Sequence, residues 1–401
     1  MLASYNPGPP HERCRRLRII VFTGKGGVGK TSVAAATALG ISRAGARTLV
    51  MSTDPAHSLA DAFESEIGAE LTQIAPGLFG QQIDAQQRLE QHWGDIQAFT
   101  TEFLSWAGAD PVAAEEIMAL PGIEEVFSLT DLRRHADDGS FDCIVVDCAP
   151  TAETLRLLSL PEIARWYIER IFPLERRVVK VVRPVLERVT SMPIASDRVF
   201  RSVKRLYENL DVVGKLLTDA SRSSIRIVVN PEKMVIAEAR RLFTYLALFG
   251  YRVDAVVANR ILPDAVEDPY FAKWKKIQAM HLDTIRESFA PIPVFTSRLY
   301  EEEMVGPELL YELCDEIYGE GDPAAIFHSG EPMAVRREDD VMVLELQLPY
   351  ADGRLDLAKK DDDLIVTVGS YRRSIMLPQS LRRREVIDAH FEGPVLKIIF
   401  A

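Results

Sequence analysis

The 401-residue sequence contains little cysteine, and that little is scattered. None of its four cysteines belongs to a CxxC pair; they are Cys14, Cys143, Cys148 and Cys314. A disulfide framework or a zinc ribbon needs clustered cysteines, so this spacing argues against both. The low content also suits a reducing compartment.

Long apolar runs are lacking as well. No stretch approaches the roughly 18 consecutive apolar residues of a membrane-spanning helix. The first eighteen residues, MLASYNPGPPHERCRRLR, have no apolar run before their basic residues, so they do not read as a secretory signal. We therefore expect a soluble, cytoplasmic protein.

The chain has no excess of positive charge. It carries 47 lysines and arginines against 59 aspartates and glutamates, a formal net charge of −12. An acidic chain repels phosphodiester backbones on average, so we expect no nucleic-acid partner. Its composition, 47% hydrophobic and 26% charged, is that of a globular protein, and its length suits two or three domains.

The first three hundred residues alternate short apolar runs with helical patterns. The predicted strands are 19–22, 48–51, 143–147, 225–229 and 254–258, with a sixth candidate at 292–295. Helices are predicted at 31–43 and 235–249, and this alternation is typical of an α/β fold with a doubly wound, mostly parallel sheet. Two helical insertions without strand signal, at about 85–134 and 155–219, interrupt the pattern.

After Asp322-Pro323 the pattern changes to alternating apolar and polar residues. Such alternation, with polar turns between the runs, predicts antiparallel strands and a C-terminal all-β sandwich. The predicted organisation is a tail at 1–17, an α/β domain at 18–322 and a β-sandwich at 333–401.

A glycine-rich motif follows the first predicted strand and precedes a helix. It reads Gly24-Lys25-Gly26-Gly27-Val28-Gly29-Lys30-Thr31 and satisfies the phosphate-loop pattern G-x-x-x-x-G-K-[ST]. Its glycines let backbone N–H groups turn toward phosphate oxygens, while Lys30 reaches the β- and γ-phosphates and Thr31 binds Mg²⁺. With Ser32 this motif predicts a site for ATP and Mg²⁺; an empty glycine-rich turn is the less favoured alternative.

Two aspartates follow or end other predicted strands. Asp54 follows the second strand, where a carboxylate can orient and deprotonate the water that attacks the γ-phosphate. Asp147 ends the third strand and is the expected second holder of Mg²⁺, through water. His57 lies in the same loop as Asp54. For His57, sensing the γ-phosphate and starting a helix remain equally open.

The motifs GKGGVGKT, STDPAHS and DCAPTAETLR, in this order, resemble the arsenite-pump and tail-anchored-protein-targeting ATPase family over residues 18 to about 320. Members are Mg²⁺-ATPases that close as a dimer over two nucleotides, so the resemblance implies a homodimer. It implies that Lys25 reaches the partner's nucleotide and that Asp54 is the catalytic base. The nucleotide-responsive switch residues that it implies are Pro55, His57, Pro150 and Thr151. It also assigns adenine recognition to Asn259, and it places Arg298 where the family holds the base with a proline-leucine pair.

The resemblance further implies a client. In targeting members, helical insertions form a hydrophobic groove for a tail-anchored transmembrane helix, and a membrane receptor is a possible further partner. Apolar residues that could line such a groove include Trp93, Phe99, Phe103, Trp106, Leu158, Trp166 and Phe172. Apolar residues at helical spacing also suit a protein core, so both interpretations stay open.

Departures from the family pattern bear on two predicted properties, zinc binding and arsenite efflux. The targeting factor binds zinc through a CxxC pair before a tryptophan, and no cysteine precedes Trp274 here, so we predict no zinc. One phosphate loop and scattered cysteines disfavour an arsenite-efflux subunit, which remains an alternative. A nucleotide-gated holdase or scaffold is another. The C-terminal domain, with its closing segment 388–396, resembles the α-crystallin domain of small heat-shock proteins, which fits a chaperone role. A stabilising or dimer-bracing appendage is an equally open interpretation of this domain.

Overall fold

The computed structural model describes most of the chain outside the two predicted insertions. The described ranges are 17–54, 58–82, 123–149, 151, 158–159, 197–339, 341–348, 355–360, 363–369 and 371–401. Within them the chain forms an α/β region followed by two antiparallel sheets.

An eight-stranded sheet dominates the described α/β region. Its strands are β1 (Arg18–Thr23), β2 (Thr48–Ser52), β3 (Thr72–Ala75), β4 (Leu78–Gln82), β5 (Cys143–Asp147), β6 (Ser223–Val229), β7 (Val253–Ile261) and β8 (Val294–Arg298). Their order is β3-β4-β2-β5-β1-β6-β7-β8, and only the edge strand β3 is antiparallel to its neighbour. The predicted doubly wound, mostly parallel fold is thus confirmed, whereas the β3–β4 hairpin was not predicted.

Helices cover the sheet. They are α1 (Lys30–Arg43), α2 (Ser58–Phe63), α3 (Ile123–Asp138), α4 (Asp197–Thr218), α5 (Lys233–Leu248), α6 (Pro269–Phe289) and α7 (Pro307–Tyr318). Every residue of β1, β2, β5 and β6 is buried, as expected for parallel strands covered on both faces. None of the described helices has the length and apolar character needed to cross a membrane.

The strand register brings the three sequence motifs to one edge of the sheet. β5 lies between β2 and β1, and Asp147 pairs with Ser52 on one side and Phe22 on the other. Because these strands are parallel, the phosphate loop after β1 and the Asp54 loop after β2 emerge beside Asp147. Ligands bind at this carboxyl edge in open α/β sheets.

The C-terminal strands form a sandwich, as predicted. They are β9 (Met333–Glu338), β10 (Val341–Gln347), β11 (Leu355–Lys360), β12 (Asp363–Val368), β13 (Tyr371–Met376), β14 (Val386–Glu392) and β15 (Val395–Phe400), with the short helix α8 (Gln379–Arg382) before β14. The sheets are β14-β15-β10-β9 and β11-β12-β13. Alternate apolar residues of both sheets fill their common core, including Leu344, Leu346, Leu364, Val366, Leu396 and Ile398.

The sandwich packs directly against the end of α5. Leu248, the last residue of α5, is fully buried and belongs to the apolar core of the sandwich. The Arg373 guanidinium on β13 lies 5.5 Å from the centre of the Phe249 ring. The end of this helix is therefore shared by the α/β region and the sandwich.

A buried ionic cluster holds the connection between the two regions. Arg18 on β1 and Arg226 on β6 both pair with Asp254 on β7, at 3.0 and 3.4 Å. Arg18 also donates to the main-chain oxygen of Ala324 at 2.9 Å, and Arg226 to that of Ala325 at 3.0 Å. The connecting segment is thus tied to the sheet by charged hydrogen bonds, which are about twice as strong as neutral ones.

Candidate nucleotide site

The phosphate loop takes a shape that only glycine allows at two positions. Gly24 has a φ of +152°, and a Cβ there would lie 2.3 Å from the main-chain oxygen of Val228. Gly29 has a φ of +90°, and a Cβ there would lie 2.4 Å from Nδ2 of Asn259. No side chain caps the start of α1. Its first N–H groups therefore point into the loop, the arrangement that binds phosphate at helix N-termini.

The two lysines of the loop differ in their surroundings. Lys30 is buried, and its Nζ donates to the main-chain oxygen of Lys25 at 3.3 Å, inside the curl of the loop. The Lys25 side chain is 39% exposed, and its Nζ lies 3.9 Å from Oε2 of Glu238 on α5. Ser32 is half-buried in the first turn of α1. Lys30 thus faces the phosphate position, while Lys25 lies at the rim.

Asp147 and Thr31 form the centre of the candidate magnesium site. Oγ1 of Thr31 donates to Oδ2 of Asp147 at 2.7 Å. Asp147 is fully buried, and its Oδ1 has no hydrogen-bond partner in the described part of the chain. A hydroxyl and a carboxylate with an unused oxygen fit Mg²⁺, which takes oxygen ligands and keeps waters. When bound, the ion would neutralise charge on the phosphate oxygens.

Burial raises the pKa of Asp147 from 3.8 to about 7. The hydrogen bond from Thr31 and the charge of Lys30 act in the opposite direction, and the carboxylate of Asp54 adds to the increase. The effect of Asp54 also reports that the two carboxylates share one electrostatic environment at this edge.

The pH dependence of Mg²⁺ binding follows from this pKa. Mg²⁺ needs the ionised carboxylate, so its apparent affinity in the presence of ATP should rise about tenfold per pH unit below the pKa and level off above it. Mg²⁺ titrations of ATP hydrolysis between pH 6 and 8 measure this. The rise specific to the protein should disappear in Asp147→Asn; an equal rise in that variant would contradict the assignment.

The raised pKa of Asp147 also makes the stability of the nucleotide-free protein depend on pH, in the opposite direction to Mg²⁺ binding. The unfolded chain releases this proton near pH 4 and the folded protein only near pH 7. Stability therefore falls as the pH rises between these values.

Hydrogen bonds connect the Asp54 loop with the loop after β5. The N–H of Thr53 donates to the main-chain oxygen of Asp147 at 2.9 Å, and Oγ1 of Thr53 accepts from the N–H of Ala149 at 3.2 Å. The N–H of Asp54 donates to Oγ of Ser52 at 3.1 Å. The described parts of the two loops are thus joined by main-chain and side-chain hydrogen bonds.

The remaining predicted residues of these loops are only partly described. Thr151 is 9% exposed, and its Oγ1 has no hydrogen-bond partner among the described residues. Pro55, His57 and Pro150 lie outside the described residues. Their roles, like the switch role of Thr151, stay predictions.

The two residues predicted to contact adenine are engaged within the protein. Nδ2 of Asn259 donates to the main-chain oxygen of Val28 at 2.8 Å, and its Oδ1 accepts from the N–H of Arg260 at 2.9 Å. Arg298 pairs with Glu312 and Glu316 on α7. Asn259 therefore supports the phosphate loop from behind, and the adenine contacts of both residues stay predictions.

Two residues that contact predicted site residues were not singled out from the sequence. Gln82, at the end of β4, donates from Nε2 to the main-chain oxygen of Asp54 at 3.4 Å. Glu238 pairs with Lys25 from the middle of α5. For Gln82, the available signal was its position directly after the apolar residues of β4. For Glu238, it was its position on a predicted helix.

Comparison with known proteins gives two family matches. Residues 17–319 match the profile of the anion-transporting ATPases, named ArsA_ATPase, and residues 339–400 match an HSP20-like domain found in ArsA. The putative arsenical pump-driving ATPase 1 of Aquifex aeolicus is 38% identical over 96% of this chain and 100% of its own. A putative arsenical pump-driving ATPase of Chlorobaculum tepidum is 39% identical over 96% of both chains. The ATPase ASNA1 homolog 1 of Paramecium tetraurelia is 28% identical over 75% of this chain and 92% of its own.

Proposed function

Because the chain belongs to the anion-transporting ATPase (ArsA) family and is an ATP hydrolase, we propose that it acts as a homodimer that captures membrane-protein helices. ATP binding closes two subunits and assembles a hydrophobic groove, and hydrolysis reopens it. The client is the transmembrane helix of a tail-anchored or similarly hydrophobic protein. The observation that carries the proposal is the position of Lys25, half-exposed at the rim of the phosphate loop.

Each group at the sheet edge has a distinct part in hydrolysis. Asp54 orients the attacking water and accepts its proton. Lys30, beneath the loop, stabilises the charge that develops on the transferred phosphoryl group, and the N–H groups at the start of α1 add to this stabilisation. Thr31 and Asp147 would hold the Mg²⁺ that accompanies ATP.

Lys25 supplies the link between the subunits. Its contact with Glu238, at 3.9 Å and partly exposed to solvent, is a weak ion pair. A phosphate group of the partner's nucleotide offers a stronger, charge-assisted contact. If Lys25 leaves Glu238 and contacts that phosphate, closure of the dimer depends on nucleotide.

Two described helices connect the proposed groove to the ATPase sheet. α3 ends the first insertion and α4 ends the second, and α4 buries Leu210, Val213 and Leu217 in the core of the α/β region. Most predicted groove residues lie outside the described residues. Leu158 is buried in that core, and its main-chain oxygen accepts a hydrogen bond from Tyr251 at 2.6 Å, so this residue belongs to the core.

An arsenite-efflux role is the second candidate, and the names of several relatives favour it. Trivalent arsenic is a soft ion that needs closely placed thiolates. Cys143, Cys148 and Cys314 are all buried, and burial raises the pKa of Cys143 to about 12 and of Cys314 to about 11. The thiols of Cys143 and Cys314 therefore stay protonated at neutral pH. The described residues contain no cluster of metal-ligating side chains. Stimulation of ATP hydrolysis by arsenite would restore this candidate.

Capture of a labelled transmembrane-helix peptide tests the proposal. We expect binding to the wild type with ATP, release as ATP is converted to ADP, and persistent binding to Asp54→Asn with ATP. Asp61→Asn, at an exposed position of α2, is the matched control and should behave like the wild type. A peptide of equal length with serine for leucine should not bind. Absence of capture in every nucleotide state would refute the groove.

A further inference from the structure

Thr53 lies directly between the end of β2 and Asp54. Ser52, the last residue of β2, pairs in register with Asp147, and the N–H of Thr53 donates to the main-chain oxygen of Asp147 at 2.9 Å. This bond continues the parallel ladder between β2 and β5 by one residue beyond β2. Thr53 is therefore the residue at which the chain leaves the sheet toward Asp54.

The hydroxyl group of Thr53 takes the place of a main-chain acceptor. In a regular parallel ladder a residue uses both its N–H and its main-chain oxygen toward the same neighbouring strand, so the N–H of Ala149 would donate to the main-chain oxygen of Thr53. Here the N–H of Ala149 donates to Oγ1 of Thr53 at 3.2 Å. The hydroxyl thus keeps the two chains joined while the main chain of Thr53 turns out of the ladder.

Both carboxylates of the site are anchored next to this contact. The N–H of Asp54 donates to Oγ of the buried Ser52 at 3.1 Å, so the main chain of Asp54 is held by the residue before Thr53. Asp147 ends β5, which lies between β2 and β1, and its Oδ2 accepts from Thr31 at 2.7 Å. Asp147 is thus fixed independently of the Thr53 side chain, whereas the path of the chain into Asp54 starts at the Thr53 hydroxyl.

We propose that Thr53 is a positioning residue for ATP hydrolysis. Its hydroxyl group, by accepting from the N–H of Ala149, fixes the direction in which the main chain enters Asp54 and hence the separation of the Asp54 and Asp147 carboxylates. The hydroxyl acts through Asp54 rather than through a contact of its own with the nucleotide. The proposal rests on the catalytic role proposed for Asp54.

Removal of the hydroxyl at constant shape tests the positioning role. Valine keeps the branched shape of threonine but offers no acceptor to the N–H of Ala149. Thr53→Val should lower kcat about 10- to 100-fold, the usual effect of losing an outer-shell partner, and leave KM for ATP within about twofold. An unchanged kcat, or a loss confined to KM, would overturn the proposal.

Two further substitutions separate positioning from folding. Thr53→Ser retains the hydroxyl and should keep kcat within about threefold of the wild type. Thr53→Ala removes the hydroxyl and leaves space for a water molecule beside Ala149, so it decides the question in the case that Thr53→Val does not fold. A lower kcat in Thr53→Ala than in Thr53→Ser, at equal KM, supports the proposal, and equal kcat values would overturn it.

Thr284→Val is the matched control. The Thr284 hydroxyl also makes a hydrogen bond, to the main-chain oxygen of Met280 at 2.9 Å. Thr284 lies in the C-terminal part of α6, which leads from the carboxyl end of β7 to the amino end of β8, so it is remote from the nucleotide edge. This variant should match the wild type. An equal loss of kcat in Thr284→Val and Thr53→Val would report general destabilisation and overturn the positioning role.

The Mg²⁺ dependence of turnover shows which carboxylate is displaced. Because β5 and Thr31 hold Asp147, the Mg²⁺ concentration for half-maximal turnover should change by less than about twofold in Thr53→Val. Binding of a fluorescent ATP analogue should be unchanged as well. Recovery of the lost turnover at high Mg²⁺ would place the defect at the metal site and overturn the proposal.

Combination with Asp54→Asn distinguishes this proposal from the role on which it rests. Thr53→Val should reduce the residual turnover of Asp54→Asn by less than about twofold, because the effects of groups that act as a unit are not additive. A further loss of about 10-fold or more would overturn the positioning role. Normal turnover in Asp54→Asn would overturn both roles, whereas loss in Asp54→Asn with normal turnover in Thr53→Val would overturn only that of Thr53.

Discussion

Lys25→Ala is expected to lose about 100-fold or more in turnover while it still binds ATP. Charged groups supplied in trans to a phosphoryl transfer contribute factors of this size or larger. Lys30 and the N–H groups of the loop remain in the variant, so ATP binding should survive. ATP turnover and binding of a fluorescent ATP analogue measure the two effects. Lys233→Ala, at an exposed position of α5, is the matched control.

Mixing two inactive variants tests whether Lys25 acts across the dimer. A Lys25→Ala subunit keeps its Asp54, and an Asp54→Asn subunit keeps its Lys25. In a mixed dimer one site has both groups, so an equal mixture should regain about a quarter of wild-type turnover, since half the dimers are mixed and each has one complete site. Mixtures that stay inactive would show that Lys25 acts within its own subunit or that no dimer forms.

Arg226→Met is expected to lower the free energy of unfolding by about 3–5 kcal/mol. The guanidinium is fully buried, pairs with Asp254 and donates to Tyr318 at 3.0 Å and to the main-chain oxygen of Ala325. Its removal leaves buried acceptors without donors. Urea-induced unfolding followed by circular dichroism measures the change.

The exposed pair of Arg43 and Asp315 provides the control for this effect. Both side chains are about half exposed. Arg43→Met should cost no more than about 1 kcal/mol, the usual upper value for an exposed ion pair. Equal effects of the two substitutions would show that the buried cluster contributes no more than a surface contact.

The sequence was sufficient for the fold class and for the loops that follow strands. Asp147 ends β5, Asp54 lies in the loop after β2, and Lys30 follows the loop after β1. All parallel strands of one sheet end at the same edge. The proximity of these residues therefore follows from the alternation of strands and helices alone. The register of β2, β5 and β1, which sets their heights relative to one another, becomes visible only in the structure.

The residues that sequence reasoning missed act through partners distant in the chain. Arg226 lies in the middle of a predicted strand, and its burial depends on Asp254, Tyr318 and the segment after α7. β4 escaped prediction because Gly80 and two glutamines interrupt its apolar pattern. A Cβ at Gly80 would lie 2.5 Å from Cδ1 of Ile74, so glycine leaves room for that side chain.

Helix α5 connects the C-terminal sandwich to the rim of the nucleotide site. Leu248, at the end of α5, packs in the core of the sandwich, and Glu238 on the same helix pairs with Lys25. The Arg18–Arg226–Asp254 cluster binds the segment that connects the two regions. Glu238 and Leu248 lie ten residues apart on α5, which is about 15 Å along the helix axis. Because α5 joins the core of the sandwich to the residue that pairs with Lys25, a displacement of the sandwich would also move the rim of the nucleotide site.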